Sequence, residues 1–270
     1  MFDSGRSLIK QSAKGVALLV ILAGVLMSVG GWLDPFTINP ELSYQEPGFE
    51  YPFGTDLFGR DMLARTFYAT GLTFRVILYA MLVAGLIALL MGSVAGYYAS
   101  KWPDKIISWL ISLLFTVPFI LIVIAIFAVI QPEINRVFLA IGCIAWPAPA
   151  RLVRSVVIQL RKATFIKATR AFGYGRMHLL FKSILPMSIS PVLISLLYSV
   201  PELVSIEVGL SFFGLGAQPP TPTLGRLIYD GLSDIYVAWW IAIIPAAVLA
   251  LILATLYYLI REGRVNKANG

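Results

Sequence analysis

Charge is scarce in this sequence: Asp, Glu, Lys and Arg make up 13% of its 270 residues, about half the share of an ordinary soluble domain. A single cysteine, Cys143, excludes an internal disulfide and a thiolate cluster for zinc or iron–sulfur chemistry. The single histidine, His178, has no converging set of donors around it and reads as a surface helix position, neither metal ligand nor catalytic group. No Gly-x-x-x-x-Gly-Lys-Ser/Thr phosphate loop occurs, so the chain lacks that means of hydrolysing ATP. Internal repeats and low-complexity tracts are missing as well, and the longest polar stretch, 34–70, is too short for a catalytic domain. What is plentiful is apolar surface, at 59% of residues. A water-soluble globule of this make-up would expose large greasy patches, so the solvent is mostly lipid.

Uncharged apolar runs cover 15–33, 76–100, 106–132, 183–201 and 235–260. About 20 helical residues cross the roughly 30 Å of hydrocarbon, so each run is long enough. Helix is the expected form, because the runs lack the alternation of barrel strands. A sixth run, 137–150, is short and carries Pro147 and Pro149.

The placement of positive charge decides whether the sixth run crosses. Residues 151–182 carry Arg151, Arg154, Arg161, Lys162, Lys167, Arg170, Arg176 and Lys182 with no acid, which places them in the cytoplasm. The N-terminal arm 1–14 and the tail 261–270 are also basic, and only an even number of crossings puts all three on one side. Six crossings put 16 Lys and Arg inside and five outside (Arg60, Arg65, Arg75, Arg136 and Arg226). The expected fold is therefore an all-α membrane protein with six transmembrane helices over 15–260 and both termini cytoplasmic. The fourth span runs from Val137 to about Ile158, and the external loop covers 34–70. The first run exceeds the usual signal-peptide core of roughly 7 to 15 residues and is read as an uncleaved span. The net charge of +7 thus belongs to membrane topology and does not call for nucleic acid.

The segment 161–186 is patterned as well as basic. Phe165, Ala168 and Phe172 share one helical face, and Met177, Leu180, Phe181 and Ile184 share another. Gly173-Tyr174-Gly175 suits a sharp reversal with positive φ, and Pro186 marks the start of the next span. Two short amphipathic helices are expected, either lying on anionic lipid or docking into a groove on a cytoplasmic partner.

Three stretches resemble the permease subunits of ATP-binding cassette importers, in the dipeptide, oligopeptide and nickel branch. They are Lys167-Ala168-Thr169 with Gly173 and Ile184-Leu185-Pro186; Phe53-Gly54-Thr55-Asp56 with Gly59-Arg60-Asp61; and Glu207-Val208-Gly209-Leu210-Ser211-Phe212-Phe213-Gly214-Leu215-Gly216 with Gln218-Pro219-Pro220. The resemblance runs from about Phe53 to Ile260. It implies a multi-pass protein of the bacterial inner membrane that is not itself an enzyme and binds no cofactor. Its expected partners are a second homologous permease, two cassette ATPase subunits that use ATP and Mg, an external solute-binding protein and membrane lipid. The solute is a peptide or a related small molecule such as a nickel chelate. The resemblance also makes 161–186 a coupling loop seated on the ATPase, with coupling positions Phe165, Lys167, Ala168, Phe172, Gly173 and Pro186. Lys167 stands where the family has glutamate, and the tail departs from the family pattern.

Glu202 and Glu207 are the acids expected within a span, Glu202 near mid-membrane and Glu207 near the outer face. Intramembrane carboxylates are costly and often functional. They serve either as interhelical packing groups or as a border of the translocation path, with Pro201 kinking the span. An ion-coupled secondary transporter using Glu202 and Glu207 is the alternative, although inverted repeats are not evident. Gly85, Gly92 and Gly96 with Ala84, Ala88 and Ala95 give the second span a face for close helix packing. Trp32, Trp102, Trp109, Trp239 and Trp240 are expected as interfacial aromatics.

Overall fold

The computed structural model of the chain describes residues 33–130, 133–164, 166, 169, 173–175 and 178–268. The N-terminal arm and first apolar run (up to residue 32), and the coupling positions Phe165, Lys167, Ala168 and Phe172, lie outside the described residues. Among the described residues the regular elements are helical, apart from one antiparallel bridge between Thr55 and Asp61. The α-helices are α1 (Met62–Tyr97), α2 (Trp102–Thr116), α3 (Phe119–Val129), α4 (Ile134–Ala145), α5 (Pro147–Leu160), α6 (Leu185–Phe212), α7 (Leu224–Ser233) and α8 (Trp240–Ala268).

Three helices are long and apolar enough to cross a membrane alone: Met62–Tyr97, Lys182–Phe212 and Trp240–Arg261. Two bent pairs qualify jointly, so the described residues hold up to five spans by length and composition.

The expected single helix over 106–132 is broken, with α2 and α3 meeting at 92°. Pro118 has no N–H for an intrahelical bond, and its ring drives Val117 out of the helical region, to φ −90° and ψ 127°. Val137 to Ile158 is likewise two helices, α4 and α5, bent by 41° where Pro147 follows Trp146. The fifth span continues through Pro201, as one helix, to Phe212. It is also continuous with a π-helical turn over Leu179–Ile184, so Pro186 follows a widened turn and no break. Pro186 has no N–H to donate to the Lys182 carbonyl, which suits that widening.

The chain divides into two compact units. One comprises the described parts of Met1–Ile77, Pro132–Val137 and Pro201–Gly270; the other comprises those of Leu78–Gln131 and Phe138–Val200.

In the second unit the small-residue face of α1 packs as expected. Ala84, Ala88 and Ala95 are fully buried. A Cβ at Gly92 would stand 2.6 Å from the Ala150 carbonyl oxygen, and one at Gly96 would stand 2.6 Å from Val157 Cβ. These glycines let α5 approach to backbone distance, where many weak dispersion contacts accumulate.

In the first unit Trp240 overturns its expected interfacial role. It is 2% exposed, and its indole N–H donates to the Thr55 carbonyl at 2.9 Å. Gly54, at φ +69°, makes room for it: a Cβ there would meet Trp240 Nε1 at 2.6 Å. Burying an indole requires a partner for its N–H, and the Phe53-Gly54-Thr55-Asp56 turn supplies one. Trp102, Trp109 and Trp239 are exposed, as expected. Trp240→Ala is expected to destabilise this unit by about 3–5 kcal/mol, and Trp240→Phe by about 1 kcal/mol for the hydrogen bond. Thermal unfolding of the purified protein in detergent checks both.

Candidate functional site

The polar end of the first unit is built by local backbone rules. Asp61 caps α1 by accepting from the Leu63 amide at 2.8 Å, and Thr223 caps α7 by accepting from the Arg226 amide at 3.3 Å. Gly59, at φ +69°, lies against the Asn39 backbone, a site closed to any side chain. α7 then packs on α8, with Gly231 against the Ala242 backbone.

These elements enclose a cavity of about 640 Å³ lined by Asp56, Arg60, Arg65, Arg226, Asp230 and the Pro219-Pro220 turn, among others. Arg60 and the Pro219-Pro220 turn, far apart in sequence, therefore meet at one cavity. Asp56 organises its wall. It accepts from the Phe58 amide at 2.9 Å, the Arg60 amide at 3.0 Å and Arg60 Nε at 2.7 Å, and stands 3.5 Å from Arg65 Nε. Arg226 pairs with Asp230 at 2.8 Å across one turn of α7. Burial raises the Asp230 carboxyl above the ordinary range against the pull of Arg226, and burial raises Asp61 despite its amide bonds. Desolvation, then the neighbouring Asp234, raises the Tyr44 phenol. The mouth is thus a mixed-charge, partly dehydrated surface.

Of the two intramembrane acids, Glu207 is 1% exposed and bonded on both oxygens. Thr73 donates to Oε2 at 2.8 Å and Ser211 to Oε1 at 2.9 Å. It ties α6 to α1 within the first unit. Glu202, five residues earlier, is exposed. The structure therefore separates the two: one is an interhelical bonding group, the other a surface carboxylate.

In the second unit Gly173 adopts φ +85°, and among the described residues no atom lies within 4 Å of where a Cβ would stand. Gly173, Tyr174, Gly175 and Pro186 are exposed, and the Tyr174 ring stacks on His178 at 4.4 Å. The expected reversal is present as an open turn.

One group escaped the sequence reading. Asp104 accepts from Arg154 Nε at 2.6 Å and Nη2 at 2.8 Å, from the Ser100 amide at 2.8 Å and from Ser108 Oγ at 3.2 Å. Arg161 Nη1 donates nearby to the Gly96 carbonyl at 3.3 Å. This clasp joins α2 to α5. Its sequence signal is slight: Asp104 is the lone acid between Asp61 and Glu133. Among the described residues no group of three or more His, Cys, Asp or Glu could hold a metal.

Residues 88–264 match the family model described as "Binding-protein-dependent transport system inner membrane component". The glutathione transport system permease protein GsiD of Escherichia coli O1:K1 / APEC is 32% identical over 250 residues, covering 91% of this chain and 82% of the relative. The GsiD protein of Shigella flexneri serotype 5b is 34% identical over the same shares. A solved chain of the MetNI methionine ABC transporter in inward-facing conformations aligns over 71% of this chain and 95% of its own, at TM-score 0.47 and 18% identity.

Proposed function

The chain belongs to the binding-protein-dependent transport inner membrane components, and on that premise we propose that it lines half of an import path for peptide-type solutes. The family is one of multi-pass inner-membrane transport permeases of ATP-binding cassette importers, not of enzymes. In this reading the chain crosses six times with both termini cytoplasmic. A second permease completes the path, two cassette ATPases bind ATP and Mg, and an external solute-binding protein delivers the cargo. The relatives named for glutathione, a small peptide, favour a peptide-type solute.

The observation that carries this reading is the mouth where Arg60, the Pro219-Pro220 turn and α7 converge on a mixed-charge cavity. A surface with paired charges of both signs suits orientation of a delivery protein through rim electrostatics. Glu202 borders the path below it, while Glu207 holds α6 against α1. The turn at Gly173, with Phe165, Lys167, Ala168, Phe172 and Pro186, seats on an ATPase and passes its cycle to the spans.

Reconstitution with candidate ATPases, partner permease and binding protein tests this. Uptake of glutathione or small peptides is expected to require both ATP and the binding protein, and Glu202→Cys is expected to react with a water-soluble maleimide during turnover. Uptake that persists without ATP and collapses with a protonophore would favour ion coupling. Complete protection of position 202 in every state would remove it from the path.

A further inference from the structure

Arg75 is the fourteenth residue of α1, about 20 Å beyond Met62 at 1.5 Å per residue. The uncharged run 76–100 begins at the next residue. Among the described residues its Nε and Nη2 atoms are buried and have no hydrogen-bond partner. Its aromatic neighbour is Tyr68, whose ring centroid lies 5.7 Å from the guanidinium carbon, and no ion pair among the described residues includes it.

Nε and Nη2 form one edge of the guanidinium, with two parallel N–H groups that match the two oxygens of a carboxylate. Elsewhere in the same chain that edge is filled: Arg154 Nε and Nη2 donate to the two oxygens of Asp104 at 2.6 and 2.8 Å. In Arg75 it is empty.

The chain's own acids do not fill it. Glu207, bonded to Thr73 two residues before Arg75, has both oxygens taken by Thr73 and Ser211. Asp56 and Asp230 are paired with other arginines. Beyond the described side chains the sequence holds two acids, Asp3 and Glu262, each in a basic flank. Leaving a guanidinium at the edge of a span without a counter-charge is costly.

We infer that Arg75 recognises a carboxylate brought by another molecule, and that this is the carboxylate of the transported solute as it passes the level of Glu207. The inference rests on the import function proposed above and narrows its cargo to solutes bearing a carboxylate. The edge is covered in this state, so the carboxylate reaches it when the mouth opens during the transport cycle.

The assembled transporter, with permease pair, ATPases and binding protein in proteoliposomes, provides the test, with glutathione and trialanine as probes and wild type, Arg75→Gln and Arg75→Lys compared. The expected result is an intact complex whose kcat for uptake falls about tenfold or more in Arg75→Gln, while KM, set at the binding protein, moves less than about twofold. Arg75→Lys, which keeps charge but loses the fork, recovers part of the rate. If Arg75→Gln instead dissociates the permease pair or lowers its melting temperature, the carboxylate belongs to the partner permease, and the solute assignment is overturned. An intact complex with uptake within about twofold of wild type overturns the site altogether. Absence of any ATP-dependent uptake by wild type refutes the import function itself, a different failure.

Discussion

Replacing Asp104 with alanine is expected to destabilise the second unit by about 2–3 kcal/mol, the largest single effect expected of an ionised side chain here. A fully buried pair broken on one side costs roughly 3–5 kcal/mol. The lower figure applies because the Arg154 side chain is 34% exposed whereas Asp104 is 5% exposed. Two charge-assisted bonds are lost, the arginine is left beside an apolar wall, and the Ser100 amide loses its acceptor. Ser100 stands at φ +69°, a conformation that a non-glycine residue holds only with local support. The double variant Asp104→Ala with Arg154→Leu is expected to be more stable than Asp104→Ala alone, because the orphaned charge is then gone. Thermal unfolding and trypsin cleavage at Lys101 and Lys105 report both. Equal stability of Asp104→Ala and wild type would mean that the clasp contributes nothing.

Gly173→Val is expected to lower transport by about tenfold or more while leaving membrane insertion unchanged. A side chain at φ +85° pays roughly 1–2 kcal/mol in backbone strain, and a β-branched one fares worst. Among the described residues no neighbour stands within 4 Å of the added carbon, so within the chain the cost falls on the backbone. Gly173→Asn, which tolerates the left-handed region, is expected to retain most transport. If Gly173→Val transports at the wild-type rate, the docking role of the turn fails.

Composition made the membrane class legible, since 25 uncharged residues from 76 to 100 leave few alternatives. The path of the backbone inside such runs was not. Hydropathy is blind to Pro118, which splits a run of constant greasiness into helices 92° apart, and to the π-helical turn that leads into α6. Helix α7 left a readable trace in the Thr223 cap and in Leu224, Leu227 and Gly231, all buried at i, i+3 and i+7. Its ten residues are too few to register as an apolar run. Trp240 was misplaced because its burial depends on Gly54 and Thr55, the latter 185 residues away. Arg154 and Asp104, 50 residues apart, pose the same problem. Long-range partners are written in geometry, and a single sequence shows only that each residue is unusual where it stands.

If the chain works as an importer subunit, the turn after α5 faces the cytosol and engages an ATPase. The direct measurement is labelling of Tyr174→Cys, in a chain whose exposed Cys143 is replaced by serine, with a membrane-impermeant maleimide. No labelling is expected in intact cells, with labelling in inverted membrane vesicles and protection there when the ATPase subunits are bound. Labelling of Tyr174→Cys from outside intact cells would contradict it.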